Sequence, residues 1–340
     1  MASTQPSFVV NLTYRQESVN GIHVSVLKSA IQKFIRRGEI DLGLVVIGYL
    51  SAFDDSTSQG KRIRTNVTNR FVACMSEEVS INEWNLPDLM RTLYNKWTSK
   101  RANVAEATII WVEMFRLLVL SRKCRVVSDY KTRFNLPPYK IKIEKLEPMW
   151  RQLLLQHRIN VRPSPKDVPH AKRDLVQLMK KKEDEAFDDL RYILTYGNNK
   201  DIDHIFDAII EEVPLIKKQV QALAFFWKKM THAEKPIYLY HALLLALKFD
   251  EFDTTEHLNL LTSPGELTLE FIIAKTVEHG EKDFPDYVYD KHTTKNADAK
   301  TSLDFATEGA LVKDEEMKFL NPLYRSMYID FKKIQTGVHL

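Results

Sequence analysis

Residues 22–53, IHVSVLKSAIQKFIRRGEIDLGLVVIGYLSAF, decide the fold class. Leu27, Ile31, Phe34 and Ile35 recur at three- and four-residue spacing, so one helix face is apolar while Lys28, Gln32, Lys33, Arg36 and Arg37 fill the rest. Gly38 stands where such a helix needs a residue at ease with left-handed backbone. From 41 to 53 apolar residues fall on nearly every side, which predicts a second, central helix.

The same period continues outward. It predicts helices over 63–79, 87–101, 104–122, 171–194, 201–212, 214–229, 236–249, 268–279 and 315–334, with a shorter one over 149–159. Residues 1–13 read as a loose or strand-like tail, and 54–60 as a polar loop. Glycine supports this: 10 in 340 residues is well under half the usual share of about 7%. Phosphate turns and hairpins need glycine at positive φ, whereas helices need it only at their ends. The expectation is an all-α, multi-helix, two-lobed protein. At 340 residues the chain exceeds what one hydrophobic core usually holds. Six of the 13 prolines lie between 135 and 169, predicting a hinge there, with a basic helical domain over 1–134 and an acidic one over 170–340.

Charge is unevenly spread. Residues 1–162 carry 25 Lys/Arg against 14 Asp/Glu, a net of +11, while the remainder carries 24 against 31, a net of −7. A basic half that meets a polyanion is the functional reading, and solvated like-charged faces are the bland one. No stretch approaches the roughly 20 apolar residues of a membrane span, and MASTQPSF lacks a secretory pattern. Cys74 and Cys124 read as buried free thiols, so an intracellular, reducing setting (cytoplasm, nucleus or virion) is expected.

Enzyme signatures are missing: there is no G-x-x-x-x-G-K-[ST] loop, no G-x-G-x-x-G, no G-x-S-x-G and no H-E-x-x-H. No catalytic residue, metal ligand or cofactor is therefore assigned. The first constellation is basic: Lys33, Arg36 and Arg37 at one helix end, Lys61, Arg62 and Arg64 leading into another, and Arg70 beyond. Such groups can track phosphates. Ordinary pairing with Glu77, Glu78 and Asp88 would account for them equally well.

The run from Lys28 to Asp41, KSAIQKFIRRGEID, followed by Leu44 to Leu50, by Arg64-Thr65-Asn66 to Arg70 and by Ser76-Glu77-Glu78-Val79, resembles a known arrangement. It is similar to the helical C-terminal collar of clamp-loader-type AAA+ ATPases, in the subgroup of replication-associated recombination ATPases, over about residues 20–130. There a K-S-x-R-G-x-D stretch precedes an apolar helix and an R-R … S-E-D-I-G helix. Two features depart from the family: the 340 residues carry no ATPase module, and Glu78-Val79-Ser80 replaces Asp-Ile-Gly. The resemblance implies oligomer contacts and a DNA-metabolism setting, and it does not imply ATP hydrolysis.

The second constellation is Asp286, Tyr287, Tyr289, Asp290, Lys291 and His292, a candidate partner surface or active loop. Together with Leu260 to Gly265 it faintly resembles a helix-hairpin-helix DNA glycosylase, but Gly265 stands alone before Glu266 and Leu267, so the defining hairpin is missing. A third group, Phe225, Phe226, Trp227, Tyr238, Tyr240 and His241, has core spacing. The function expected from all this is a non-enzymatic accessory protein of DNA replication or repair, of viral type, that binds DNA, forms a homo-oligomer and has replication or virion proteins as further partners. The alternatives are a capsid-associated or nucleoid-packing structural protein, and a DNA lyase or glycosylase using Lys291 or Lys275.

Overall fold

The computed structural model describes residues 14–15, 18–19, 21–128, 131, 168–230, 235–249, 268–280, 284–285 and 288. They are almost wholly helical, and the protein is all-α. The chain divides into two compact units, each drawn from three stretches. Unit 1 comprises Met1–Phe71, Leu93–Leu120 and Leu260–Thr301; unit 2 comprises Val72–Thr92, Ser121–Asn259 and Ser302–Leu340. Of the expected hinge only 168 and 169 are described. The expected helices over 149–159 and 315–334 lie outside the described residues, as does the tail over 1–13.

In unit 1 three two-residue antiparallel strands, β1 (Tyr14–Arg15), β2 (Ser18–Val19) and β3 (Ile22–His23), pair in that order and lead into α1 (Val24–Arg37). His23 caps α1 by accepting the Ser25 amide, and the helix ends at Gly38 (φ 76°), where the Glu39 amide returns to the Phe34 carbonyl at 2.9 Å. Leu27, Ile31, Phe34 and Ile35 are fully buried, as their spacing predicts. The next helix, α2 (Ile40–Leu50), is buried without a break from Gly43 to Leu50. It follows that α2 is the centre of this core, with α1 on one side and two partners from distant sequence on the others.

Those partners are α5 (Val104–Leu120) and α11 (Leu269–His279). They come close because α2 has glycine at the contacts: a Cβ on Gly43 would overlap the Phe115 ring, and one on Gly48 would overlap the Thr276 hydroxyl. Hydrogen bonds tie Lys275, Gly280 and Val288 to α1 and α2. Tyr49 Oη donates to the Gly280 carbonyl at 2.5 Å, Ser29 Oγ to the Val288 carbonyl at 2.6 Å, and Lys275 Nζ to Asp41 at 2.8 Å. Nothing local in the sequence signals that residues this far apart join one core.

Two more helices, α3 (Ser58–Cys74) and α4 (Leu86–Lys100), run through the boundaries between the unit ranges. Within unit 2, α3 continues into a π-helical turn (Met75–Val79) and a short 3-10 turn (Ser80–Asn82). Unit 2 then holds α6 (Val168–Lys180), α7 (Ala186–Tyr196), α8 (Asn199–Glu212), α9 (Lys217–Lys229) and α10 (Pro236–Lys248). Every residue of α10 from Ile237 to Leu247 is buried, and α6 to α9 pack around it. Phe226, Trp227, Tyr238, Tyr240 and His241 all lie in this core, with Tyr240 stacked on Phe187 at 5.9 Å. Cys74 and Cys124 are both buried thiols.

One expected helix, 171–194, is two. The chain breaks after Lys180, because Lys182 takes φ 57° and the amides of Lys182 and Glu183 fold back to the carbonyls of Met179 and Leu178. This is the Schellman arrangement that glycine usually makes, here closed by lysine. Since α6 and α7 pack on each other, the strain at one residue is offset by the burial of Leu175, Met179, Phe187 and Leu190.

Candidate nucleic-acid interface

The loop into α3 is built by its own side chains. Asp54 accepts hydrogen bonds from the Ser56 amide and hydroxyl, which hold its carboxyl below the usual range. Thr57 Oγ1 accepts the Gly60 amide at 2.9 Å, so it caps the helix. Ile63, Val67 and Phe71 turn inward, leaving Arg62, Asn66 and Arg70 on an outer line at steps of four residues, roughly 6 Å each. On α1, Lys28, Gln32 and Arg36 form a similar line beside Lys33 and Arg37. The two lines meet where Arg70 Nη1 donates to Gln32 Oε1 at 3.4 Å. Lys61 and Arg62 are exposed; Lys33, Arg36, Arg37 and Arg70 are half-buried.

Arg64 does not belong to this surface. It is 1% exposed, with Nη1 donating to the Phe53 carbonyl and Nη2 to the Arg101 carbonyl, and its guanidinium lies 5.5 Å from the Trp111 ring centre. Asp55 is 3.6 Å from its Nε. Burial lowers the Arg64 pKa, and Asp55 opposes the shift. The sequence reading of Arg64 as a phosphate contact is thereby corrected: it is a structural ion that ties the 53–55 loop to the end of α4.

Two residues that the sequence reading missed complete the site. Arg101 grips Asp55 through Nε at 2.7 Å and Nη2 at 3.2 Å, and Nη2 also reaches the Lys61 carbonyl. Its guanidinium lies 4.8 Å from the Trp97 ring centre, and Trp97 stacks on Trp111. Hydrogen bonding from Arg101 holds the Asp55 carboxyl below the usual range. The available signal was Trp97-x-x-x-Arg101, whose four-residue spacing puts ring and guanidinium on one helix face. Asp55, Lys61, Arg62, Thr65, Asn66 and Arg101 together line a shallow depression.

Asp286, Tyr287, Tyr289, Asp290, Lys291 and His292 all lie outside the described residues. Lys275 is ion-paired to Asp41, whose hydrogen bond raises its pKa. A Schiff-base lysine needs the opposite shift. In unit 2, Ser76 Oγ and His241 Nδ1 are 2.9 Å apart, within reach of a nucleophile and its base. Both side chains are fully buried, however, and burial lowers the His241 pKa to about 3, so the pair is a neutral core contact. Among the described residues no group of three or more His, Cys, Asp and Glu gathers to hold a metal ion, and no helix is long and apolar enough to cross a membrane.

Comparison with protein families, curated proteins and solved structures gives no match to the chain.

Proposed function

We propose that this protein binds nucleic acid through its phosphates, without catalysis, along the joined basic lines of α1 and α3. The observation that carries the reading is the Arg70–Gln32 hydrogen bond, which makes one track of two separate basic segments. Arg62, Asn66 and Arg70 lie along its α3 side and Lys28, Gln32 and Arg36 along its α1 side, with Lys33, Arg37 and Lys61 on the same two helices. Lysine and arginine placed this way displace counterions from a polyanion and fix its position without reading bases. The collar resemblance over residues 20–130 supports DNA replication or repair as the setting, DNA as the nucleic acid, and self-association as part of the role.

The test is binding to a labelled DNA junction across a salt series, with sedimentation on the same sample. The Arg36→Ala/Arg62→Ala/Arg70→Ala variant should bind about 100-fold more weakly, and its salt slope should fall by about three. Arg64 is left intact because its removal would disturb the fold. Wild-type affinity and slope in the triple variant would sink the proposal. Large assemblies that form without DNA and dissolve in high salt would favour a packing protein instead.

A further inference from the structure

The depression beside α3 has more order than a basic surface requires. Three side-chain donors that line it have no hydrogen-bond partner among the described residues: Arg101 Nη1, Lys61 Nζ and Asn66 Nδ2. Arg62 also lines it and adds a third cationic group, and Thr65 donates its hydroxyl to the Lys61 carbonyl. Arg101 is the fixed member. Asp55 holds its Nε and Nη2 edge, Trp97 lies against its face, and the remaining nitrogen is left over. The Asp55 charge does not spoil the site for an anion, because Arg64 at 3.6 Å and Arg101 at 2.7 Å share it. Counting Asp55 against Arg101, Lys61 and Arg62, the charges that line the depression, leaves it two charges positive.

We propose that the depression is a phosphate socket in which Arg101, Lys61 and Asn66 contact the phosphate directly and Asp55 is the positioning residue that aims Arg101. The ligand class is a phosphate group with at least two unshared oxygens, matched by convergent N–H donors and a pre-oriented guanidinium. A nucleic-acid backbone and free phosphate share that chemistry. The backbone assignment rests on the function proposed above, and the socket itself does not.

The full-length protein is tested with a 24-base-pair duplex by anisotropy and with inorganic phosphate by calorimetry. Lys61→Ala/Asn66→Ala, at two exposed positions, should weaken duplex binding about tenfold and lower the salt slope by about one. Asp55→Asn gives the sign that separates positioning from simple charge. Removing a carboxylate from a site that only attracts by charge tightens binding, whereas releasing Arg101 weakens it, and Asp55→Glu should recover part of the loss. Helical content by circular dichroism confirms that each variant is folded. Unchanged duplex binding in Lys61→Ala/Asn66→Ala, or tighter binding in Asp55→Asn, would overturn the socket while leaving the nucleic-acid reading in place. If the wild type fails to bind duplex, that reading falls and phosphate decides the socket. Saturable phosphate binding that the double variant loses would keep it as a site for free phosphate, and no phosphate binding would end it.

Discussion

Thr276 on α11 sits against Gly48 on α2 so closely that a methyl group on the glycine would overlap the threonine hydroxyl. Thr276 Oγ1 donates within its own helix to Ile272 at 2.9 Å and also lies 3.3 Å from the Val45 carbonyl. The contact fixes how a helix from residues 269–279 docks on one from residues 40–50. Gly48→Ala should therefore cost about 1–3 kcal/mol through overpacking, although alanine is the better helix former. Urea denaturation of Gly48→Ala, Thr276→Ala and the double variant would check it. If the clash is the cause, the double variant should recover part of the loss, giving a coupling of at least about 0.5 kcal/mol. Additive losses would place the cause elsewhere.

Arg64 gives a prediction of the opposite kind, a basic residue whose loss harms the fold and not the surface. Its removal takes a donor from each of the Phe53 and Arg101 carbonyls and one of two guanidiniums from Asp55. Arg64→Met should lose about 3–5 kcal/mol, as when one partner of a buried ion pair is deleted. Arg64→Lys should recover little, because a single ammonium cannot span both carbonyls. Denaturation measures the loss, and DNA affinity per folded molecule should fall far less than the roughly 100-fold expected of the Arg36/Arg62/Arg70 variant. A stable Arg64→Met protein that no longer binds DNA would show that the surface reading of Arg64 was right after all.

The helical period was enough to read the fold class and the core of α1 and α2, since Leu27, Ile31, Phe34, Ile35 and the apolar run after Gly43 lie where their spacing puts them. The error at Arg64 was also legible. Residues two apart on a helix face nearly opposite ways, so Arg62 and Arg64 cannot both point outward once Ile63, Val67 and Phe71 mark the inner face. Treating the segment as a charge cluster hid that geometry. Asp55 and Arg101 were harder, since a pair 46 residues apart is made by the tertiary fold and leaves no local trace. The docking of α11 on α2 is of the same kind. The break between α6 and α7 was hidden for a different reason, because the residue that makes it is lysine.

Lys182 therefore offers a local test. A non-glycine residue in left-handed backbone costs about 1–2 kcal/mol, and glycine returns most of that while adding freedom to the unfolded chain. Lys182→Gly should leave the protein unchanged or more stable by up to about 1 kcal/mol. Lys182→Val, with a branched Cβ, should lose more than about 1 kcal/mol. Both are read by denaturant midpoint. A valine variant as stable as wild type would mean that the turn relaxes and that α6 and α7 are not held by this cap.

His241 makes stability depend on pH, and the sign follows from which state binds the proton. The folded protein holds the imidazole neutral, with a pKa lowered to about 3 by burial, while the unfolded chain has one near 6.5. Above about 6.5 neither state is protonated and the contribution is fully present. As pH falls below that value the unfolded state gains a proton that the folded state refuses, so stability drops until pH approaches 3. By pH 5 the loss from this one group is about 2 kcal/mol. Asp55 does not interfere between pH 7 and pH 5, because its carboxyl is ionised there in the unfolded chain, at its ordinary pKa of about 3.9, and in the folded protein, where its pKa is lower still. The comparison is wild type against Ser76→Ala/His241→Leu, which removes both polar partners and leaves no buried hydroxyl unpaired. Urea denaturation at pH 7 and pH 5 should show wild type losing about 2 kcal/mol more than the variant. Equal losses in the two proteins would mean that the core opens to let His241 charge.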